Sequence, residues 1–383
     1  MMTRQTVFLL LFVALMLSQL KLHISSLASI SLDPSLVSFS LDPFNDLPSI
    51  AQDDLPTKQQ QEQPLSTPFC NSLAYSRGAT KNRRMVHAFV SNSGHWRFLE
   101  NALLSMASNR LLSEDWIPVV FALGRGVCPK VESFSQNNHN RKVLCIPYIQ
   151  RLLQQLQRDE PKSIEQIQPY LLSASAVSSN NNVTTEEEES DFSKVDHGFH
   201  TWGSIEHKFM INAKLYALRD ILECHTDAFV TDVDVAFVQD PRPYFSAQDD
   251  TIFAQNDTSV AYQLSLNSGL MYWKSTDANR KLIHDIITIP PFWWIDQSRV
   301  NTVMHNQSTP HVLLKADQFP NGNIIKNFQH RIVLNGSTNL TNKELVVIAH
   351  ANWNVGSQEK QTMLESIGLW YLKDDEGSAN EAP

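Results

Sequence analysis

In Thr231-Asp232-Val233-Asp234-Val235 two carboxylates stand two residues apart inside a long apolar run. In an extended chain both would project to one face, with their Cα atoms roughly 6.6 Å apart. Neighbouring carboxylates in apolar surroundings repel one another and lose hydration, at a cost of several kcal/mol unless a cation or hydrogen-bond donors compensate. A hard divalent ion does this economically, and oxygen ligands suit Mg²⁺ or Mn²⁺ better than zinc. The same D-x-D also reads as an Asp-rich turn, helped by Pro241 and Pro243. His350 closes the apolar run VVIAH. A neutral imidazole there would complete the coordination of a borderline ion such as Mn²⁺; alternatively it is a hydrogen-bonded interior histidine. Downstream, Gly356 would let backbone approach a phosphate and Lys360 would offer a point charge, although Lys360 also reads as a solvated lysine.

These residues need a scaffold that brings them together. Strand-like and helix-like patterns alternate along the chain, the signature of an α/β fold with a largely parallel sheet. Met85 to Val90 is expected as a strand, followed by a polar turn at Ser91-Asn92-Ser93-Gly94 and a helix over HWRFLENALLSMA. Trp116 to Leu123 and Lys142 to Ile146 supply further strands. Between His207 and Leu222, Ile211, Leu215, Leu218 and Leu222 recur at helical spacing and predict one packed face. DAFVTDVDVAFV and ELVVIAH are the later strands. Three apolar runs therefore stop at polar groups: Ser91 and Asn92, Asp232 and Asp234, and His350. In open α/β sheets such strand ends converge on a ligand.

The 383 residues are 42% hydrophobic and 19% charged, enough for a short N-terminal appendage plus one large α/β domain or two ordinary ones. A net charge of -9 supplies no basic face for nucleic acid. Thr6 to Leu20 is an apolar stretch between Arg4 and Lys21, read as a signal anchor. Cleavage near Ser26-Leu27-Ala28, giving a secreted protein, is the alternative. Four cysteines, Cys70, Cys128, Cys145 and Cys224, match no zinc spacing and read as disulfides or buried thiols. Sequons begin at Asn182, Asn256, Asn306, Asn335 and Asn339, which permits a lumenal glycoprotein. The expected organisation is a cytosolic tail at 1–5, a transmembrane segment at 6–22 and a flexible stem at 23–78. A catalytic domain at 79–373 follows, with a polar, acidic insertion at about 173–194, and then a tail at 374–383.

Taken in order, K-x-x-x-L-x-x-x-L around Lys214, TDVDVAFVQDPRPYF, LNSGLMYW, WWIDQSRVN, FPNGN and HANWNVGSQEK followed by Gly368-Leu369-Trp370 resemble the nucleotide-diphospho-sugar transferase domain of glycosyltransferase family 77. The glycogenin-like family 8 is a more distant likeness. The resemblance spans about residues 80 to 372. It implies a GT-A (Rossmann-like) fold in one catalytic domain, a nucleotide-sugar donor, read as UDP-linked by resemblance alone, a divalent metal, and transfer with retention of anomeric configuration. Carried over, Asp232 faces the donor ribose or sugar and shares the metal with Asp234, the principal ligand, and His350. Gly356 and Lys360 hold the diphosphate, Lys214 is a donor-side contact, and Ser91 and Asn92 border the base.

In the resembling families an asparagine and a glycine at the positions of Asn267 and Gly269 border the donor sugar; Asn267-Ser268-Gly269 also describes a tight turn into a strand. Asp296 and Gln297 follow the aromatic group Phe292, Trp293 and Trp294, which suits sugar stacking or a core. Asp296 reads as a stabiliser or transient nucleophile, or as the N-cap of the next helix. The partners implied are a nucleotide-sugar, a glycan or glycoprotein acceptor and the Golgi membrane in type II orientation. Two rivals share the site: a metal-dependent phosphate-ester hydrolase or nucleotidyltransferase, and a non-catalytic lumenal glycan-binding module.

Overall fold

The computed structural model describes residues 67–76, 85–113, 116–138, 142–161, 205–245, 250–259, 264–289, 295–328 and 346–373, all within one compact unit spanning 63–383. The chain opens on helix α1 (Thr67–Ser76) and strand β1 (Met85–Ser91), and then alternates α2 (Trp96–Ser108), β2 (Val119–Ala122), α3 (Val127–Asn137), β3 (Leu144–Pro147) and α4 (Ile149–Asp159). A long helix α5 (Ile205–Glu223) leads into β4 (Asp227–Thr231) and β5 (Val235–Phe237). There follow β6 (Ile252–Asn256), β7 (Leu266–Trp273), α6 (Asp277–Thr288), α7 (Asp296–Asn306) and β8 (His311–Leu314). The last elements are α8 (Gly322–Phe328), β9 (Ile348–His350) and α9 (Ser357–Ser366).

Seven strands form one sheet in the order β3-β2-β1-β4-β7-β6-β8. Pairs β3/β2, β2/β1, β1/β4 and β6/β8 are parallel, and only β7 runs against its neighbours. The expectation of a mostly parallel sheet flanked by helices is met. Its alternation is direct: Val86 and Ala88, Val119 and Phe121, and Ala228 and Val230 enter one core. Phe89, Val120 and Phe229 enter the other. A strand with both faces buried must be apolar at every position, which is why these segments read as continuous runs.

Several expectations change in detail. DAFVTDVDVAFV is two strands, because the chain bends at Val233 and Asp234 to leave the main sheet. β5 then pairs antiparallel with β9 in a separate two-stranded sheet, with Val235 opposite His350. Asn267-Ser268-Gly269 is the body of β7 and makes no turn; its partner β6 shifts register between Ala254 and Gln255, and the Asn267 side chain accepts from Gly269 N at 2.7 Å, standing in for a ladder bond. Helix α5 is buried around most of its circumference from Asn212 to Leu222, since it lies between the sheet and α6 and α7; a one-face pattern understated this.

All four cysteines are in disulfides, Cys70–Cys224 and Cys128–Cys145. The first ties α1 to the end of α5, so residues 67–76, expected within a flexible stem, are a helix covalently fastened to the domain. The anchor at 6–22, the insertion at 173–194 and the aromatic group 292–294 lie outside the described residues. Among the described residues no helix is long and apolar enough to cross a membrane.

Candidate active site

The bend after β4 makes the site. Asp232 N donates to Gly269 O at 2.8 Å, which holds Asp232 against β7, whereas Asp234 O accepts from Ala351 N at 2.9 Å, which holds Asp234 against the segment leaving β9. The two carboxylates are thus anchored to different sheets and converge across the bend; strand alternation does not bring them together. His350 arrives from β9, opposite Val235, and is fully buried. Its Nε2 lies 3.3 Å from Asp234 Oδ1 and 3.6 Å from Asp232 Oδ2.

The imidazole's orientation follows from a second contact. Gln255 Nε2 donates to Phe319 O at 3.1 Å, so its Oε1 faces His350 Nδ1 at 2.8 Å and must accept from it. Nδ1 therefore carries a proton and Nε2 is directed at the carboxylates. That buried Nε2 has no hydrogen-bond partner. One ligand atom from each of Asp232, Asp234 and His350 lies within 4.8 Å of the others. Gly269 keeps the space open: a Cβ there would come within 2.4 Å of Asp232 Oδ2 and 2.5 Å of His350 Cε1. Two carboxylates, an imidazole nitrogen aimed at them without a partner, and a glycine that leaves room are a donor set that fits a divalent cation.

Two lysines balance the acids. Lys214 on α5 is buried, 2.5 Å from Asp232 Oδ1 and 3.0 Å from Asp296 Oδ2. Burial opposes its charge, but Asp232 and Asp296 outweigh burial and hold its pKa above the ordinary lysine value. Lys360 on α9 reaches Asp234 Oδ2 at 2.7 Å. Desolvation would raise both aspartates, yet Lys214 with His350 lowers Asp232, and Lys360 with His350 lowers Asp234. For His350 itself burial works against protonation, and the two carboxylates prevail, raising it to about 9. The Asp232 side chain is 37% exposed against 7% for Asp234, so Asp232 is the acid that a ligand can meet directly.

Around this cluster the sequence-derived candidates divide. Asp296 begins α7 with its side chain turned to Lys214; Ile295 holds the N-cap position, so the capping alternative does not apply. Gln297 Oε1 accepts from Ser268 N at 3.4 Å. Asn267 Nδ2 donates to Asp257 Oδ1 at 2.7 Å, and Gln297 also bonds Asp257, a buried acid that burial raises above the ordinary range. Asp257 was missed because the sequence places it alone at a strand end, with no second acid beside it.

A cavity of about 270 Å³ adjoins the acids, at the small end for ligand pockets. Val90, Phe98, Met210 and Ile211 give it apolar walls, while Lys214, Asp232, Asp234, Gly356 and Lys360 give it a charged end. Ser91 and Asn92 do not line it. Asn92 caps the turn at Ser93–His95, accepting from His95 N at 3.1 Å and facing His95 Nδ1 at 2.6 Å, and Ser91 Oγ donates to Asn92 O. His95 and Phe98 take their place on the wall; a helix pattern marks such residues as core, which hid them. Gly356 has φ +105°, a conformation that suits glycine, and stands before the first turn of α9.

Residues 174–364, just under half of the chain, match the family model of nucleotide-diphospho-sugar transferases. Every residue of the charged cluster falls inside that span. No curated protein matches the chain in sequence. Among solved structures the chain is similar to the apo form of the glycosyltransferase GlyE of Streptococcus pneumoniae TIGR4, at 13% identity and a TM-score of 0.40, over 75% of this chain and 60% of that one. It is similar to the galactosyltransferase LgtC in complex with donor and acceptor sugar analogs, at 11% identity and 0.41, over 76% and 98%. It is also similar to apo mouse xyloside xylosyltransferase 1, at 11% and 0.40, over 72% and 99%. TM-scores at this level leave the reading of the site to its own geometry and to the family match.

Proposed function

We propose that the chain is a glycosyltransferase, a retaining, metal-dependent enzyme moving a sugar from a UDP-sugar to a glycan or glycoprotein acceptor, a reading supported by the match of residues 174–364 to nucleotide-diphospho-sugar transferases. The observation that carries this reading is the convergence of Asp232, Asp234 and the partnerless Nε2 of His350 beside a cavity flanked by two lysines. Asp232, Asp234 and His350 would hold the cation, Mn²⁺ or Mg²⁺. When bound, such an ion neutralises negative charge gathering on a diphosphate leaving group.

The chain's own residues do the rest. Lys360 adds charge on the Asp234 side, and Gly356 lets backbone approach the diphosphate at the start of α9. The apolar walls take the base and ribose, and Lys214 positions Asp232 and Asp296 about the donor sugar. Gln297 and Asn267, both bonded to Asp257, are held in place and orient the sugar. The buried Asp296 carboxylate, paired with Lys214, would support the developing positive charge at the anomeric carbon.

Two disulfides suit an oxidising compartment, and the sequon asparagine Asn306 is exposed at the end of α7. With the apolar segment at 6–22 this supports a type II Golgi membrane protein with its catalytic domain in the lumen. The test of the reaction is product identity: the full chain incubated with a panel of UDP- and GDP-sugars and Mn²⁺ should release nucleoside diphosphate. Release of nucleoside monophosphate instead would mean attack at phosphorus, the hydrolase or nucleotidyltransferase outcome. No release from any of them would leave a binding module.

A further inference from the structure

An acceptor has to reach the donor sugar from a side the nucleotide does not fill, and the loop that leaves β9 serves both sides. Asn354, Val355 and Gly356 line the cavity. Trp353 does not. The residue is 51% exposed, an unusual amount of surface for an aromatic residue to leave in water, and only Val312 and Val355 join it as exposed large hydrophobics among the described residues. Its backbone has φ +64°, the left-handed region that a bulky residue enters only when its surroundings impose it. Those surroundings are visible: Asn352 Oδ1 accepts from Gly322 N at 2.8 Å, Asn352 O accepts from Asn354 Nδ2 at 3.2 Å, and a Cβ on Gly322 would strike Asn352 O. The loop is clamped on both sides of the tryptophan.

The indole is also tethered. Its side chain hydrogen-bonds Asp257, the buried carboxylate that Asn267 and Gln297 share. Indole has a single polar atom, its N–H, so that atom is turned inward to Asp257 and the ring's orientation is fixed relative to the two groups assigned to the donor sugar. An exposed aromatic face, held in a strained conformation and bonded to the same acid as those groups, is what a sugar ring with a continuous C–H face stacks on. We propose that Trp353 is the platform on which the acceptor's sugar ring rests, and so a determinant of acceptor binding. This rests on the glycosyltransferase reading above. A pyranose lying on the indole would present a hydroxyl toward the donor sugar beside Asn267 and Gln297, with the nucleotide on the far side of the acids.

The experiment uses the full chain and measures nucleoside diphosphate release from the sugar nucleotides that serve as donors, with and without methyl β-glycosides of xylose, glucose and galactose at high concentration. At least one glycoside should stimulate release by the wild type. In Trp353→Ala the glycoside's KM should rise by about tenfold or more, the loss expected for one stacking contact, while the donor's KM stays within about twofold. Trp353→Phe, which keeps a ring but loses the tether, should retain part of the stimulation. Circular dichroism melts of both variants check that the fold survives. The platform is overturned if no glycoside stimulates an enzyme that does release nucleoside diphosphate, if Trp353→Ala is stimulated as the wild type is, or if donor and glycoside KM rise together. Absence of release from any sugar nucleotide, in any condition, overturns the donor-site reading and the platform with it.

Discussion

Two clusters of buried charge sit on opposite sides of helix α5, built from the same kinds of residue, and they are satisfied in different ways. On one side Asp220 accepts from Tyr148 Oη at 2.8 Å, Arg151 Nε at 2.5 Å and Gln155 Nε2 at 2.6 Å. Arg299, fully buried on α7, donates to Asn212 Oδ1, to Glu160 Oε1 and to the carbonyls of Ile286 and Ile287. Arg219 meets Asp159 at 2.6 Å, with its Nη2 left over. The donors there are planar guanidinium groups, a phenol and an amide, several to each acid, and they fix α4, α5, α6 and α7 against one another. On the other side Asp232 and Asp234 each rely on one lysine, Asp296 shares Lys214 with Asp232, and His350 Nε2 lacks a hydrogen-bond partner. Lysine is a point charge on a flexible stem that can turn to a phosphate. Buried charge is structural where several planar donors satisfy each acid, and it is available for chemistry where single lysines balance it.

The sharpest way to break this contrast is Asp234→Asn. It removes a principal acid of the chemical cluster but little else, so turnover should fall by at least about three orders of magnitude. Thermal stability should change by no more than about 1 kcal/mol, since losing the Lys360 partner is offset by relief of repulsion from Asp232. The Mn²⁺-induced rise in melting temperature expected of the wild type should vanish with it. Undiminished turnover in a folded variant would remove Asp234 from the site. Arg299→Met is the converse. Taking the buried guanidinium from Asn212, Glu160 and two carbonyls should cost about 3 kcal/mol of stability, while turnover per folded molecule holds well below the new midpoint. If that variant lost turnover without losing stability, the network would belong to the chemistry.

Gly269→Ala tests the boundary between the two kinds of region, because this glycine is in the body of a central strand yet faces the acids. Its new methyl would push Asp232, His350 and Asn267 apart. Displacement of such groups by about 1 Å should cost about a hundredfold in turnover, measured as nucleoside diphosphate release, with the sheet intact. A variant of normal activity would mean that the cluster does not need its present spacing.

Much of this could be read from the residues. Apolar runs marked the strands whose two faces are buried, and D-x-D with a distant histidine marked the residues that the fold gathers into one cluster. What could not be read was set by pairing between remote segments. The bend that turns Asp234 toward β9 depends on β5 leaving the main sheet, and nothing local in VDVAF announces it. Asn267-Ser268-Gly269 has the composition of a turn and becomes strand because β6 and β4 flank it. Val90, His95 and Phe98 line the cavity where Ser91 and Asn92 do not, since the first-strand turn closes on itself through the Asn92 cap. Arg299 carries no local signal of burial; the packing of α7 against α5 and α6 buries it.

The smallest expected effect separates two histidines that are equally buried. His87 on β1 lies among the rings of Phe89, Trp116, Phe229 and Phe237, with centroids 4.4 to 5.5 Å away, and its one hydrogen bond is between Nε2 and Thr231 Oγ1 at 3.0 Å. No acid faces it, so burial pushes its pKa down to about 3, whereas the acids beside His350 push the other way. In the unfolded chain His87 returns to about 6.5. Between those values the unfolded state binds the extra proton, so this stability is fully present above pH 6.5 and is lost as pH falls toward 3. About 1 kcal/mol should go between pH 6.5 and 5.5. Urea denaturation of wild type and His87→Phe across that interval isolates the effect: the lost Thr231 contact shifts the whole variant curve by a constant, but only the wild type carries the slope due to this imidazole. Parallel curves would mean that His87 takes up its proton without unfolding. In that case the aromatic cage around His87, which reaches β4 through Thr231, would be open to water.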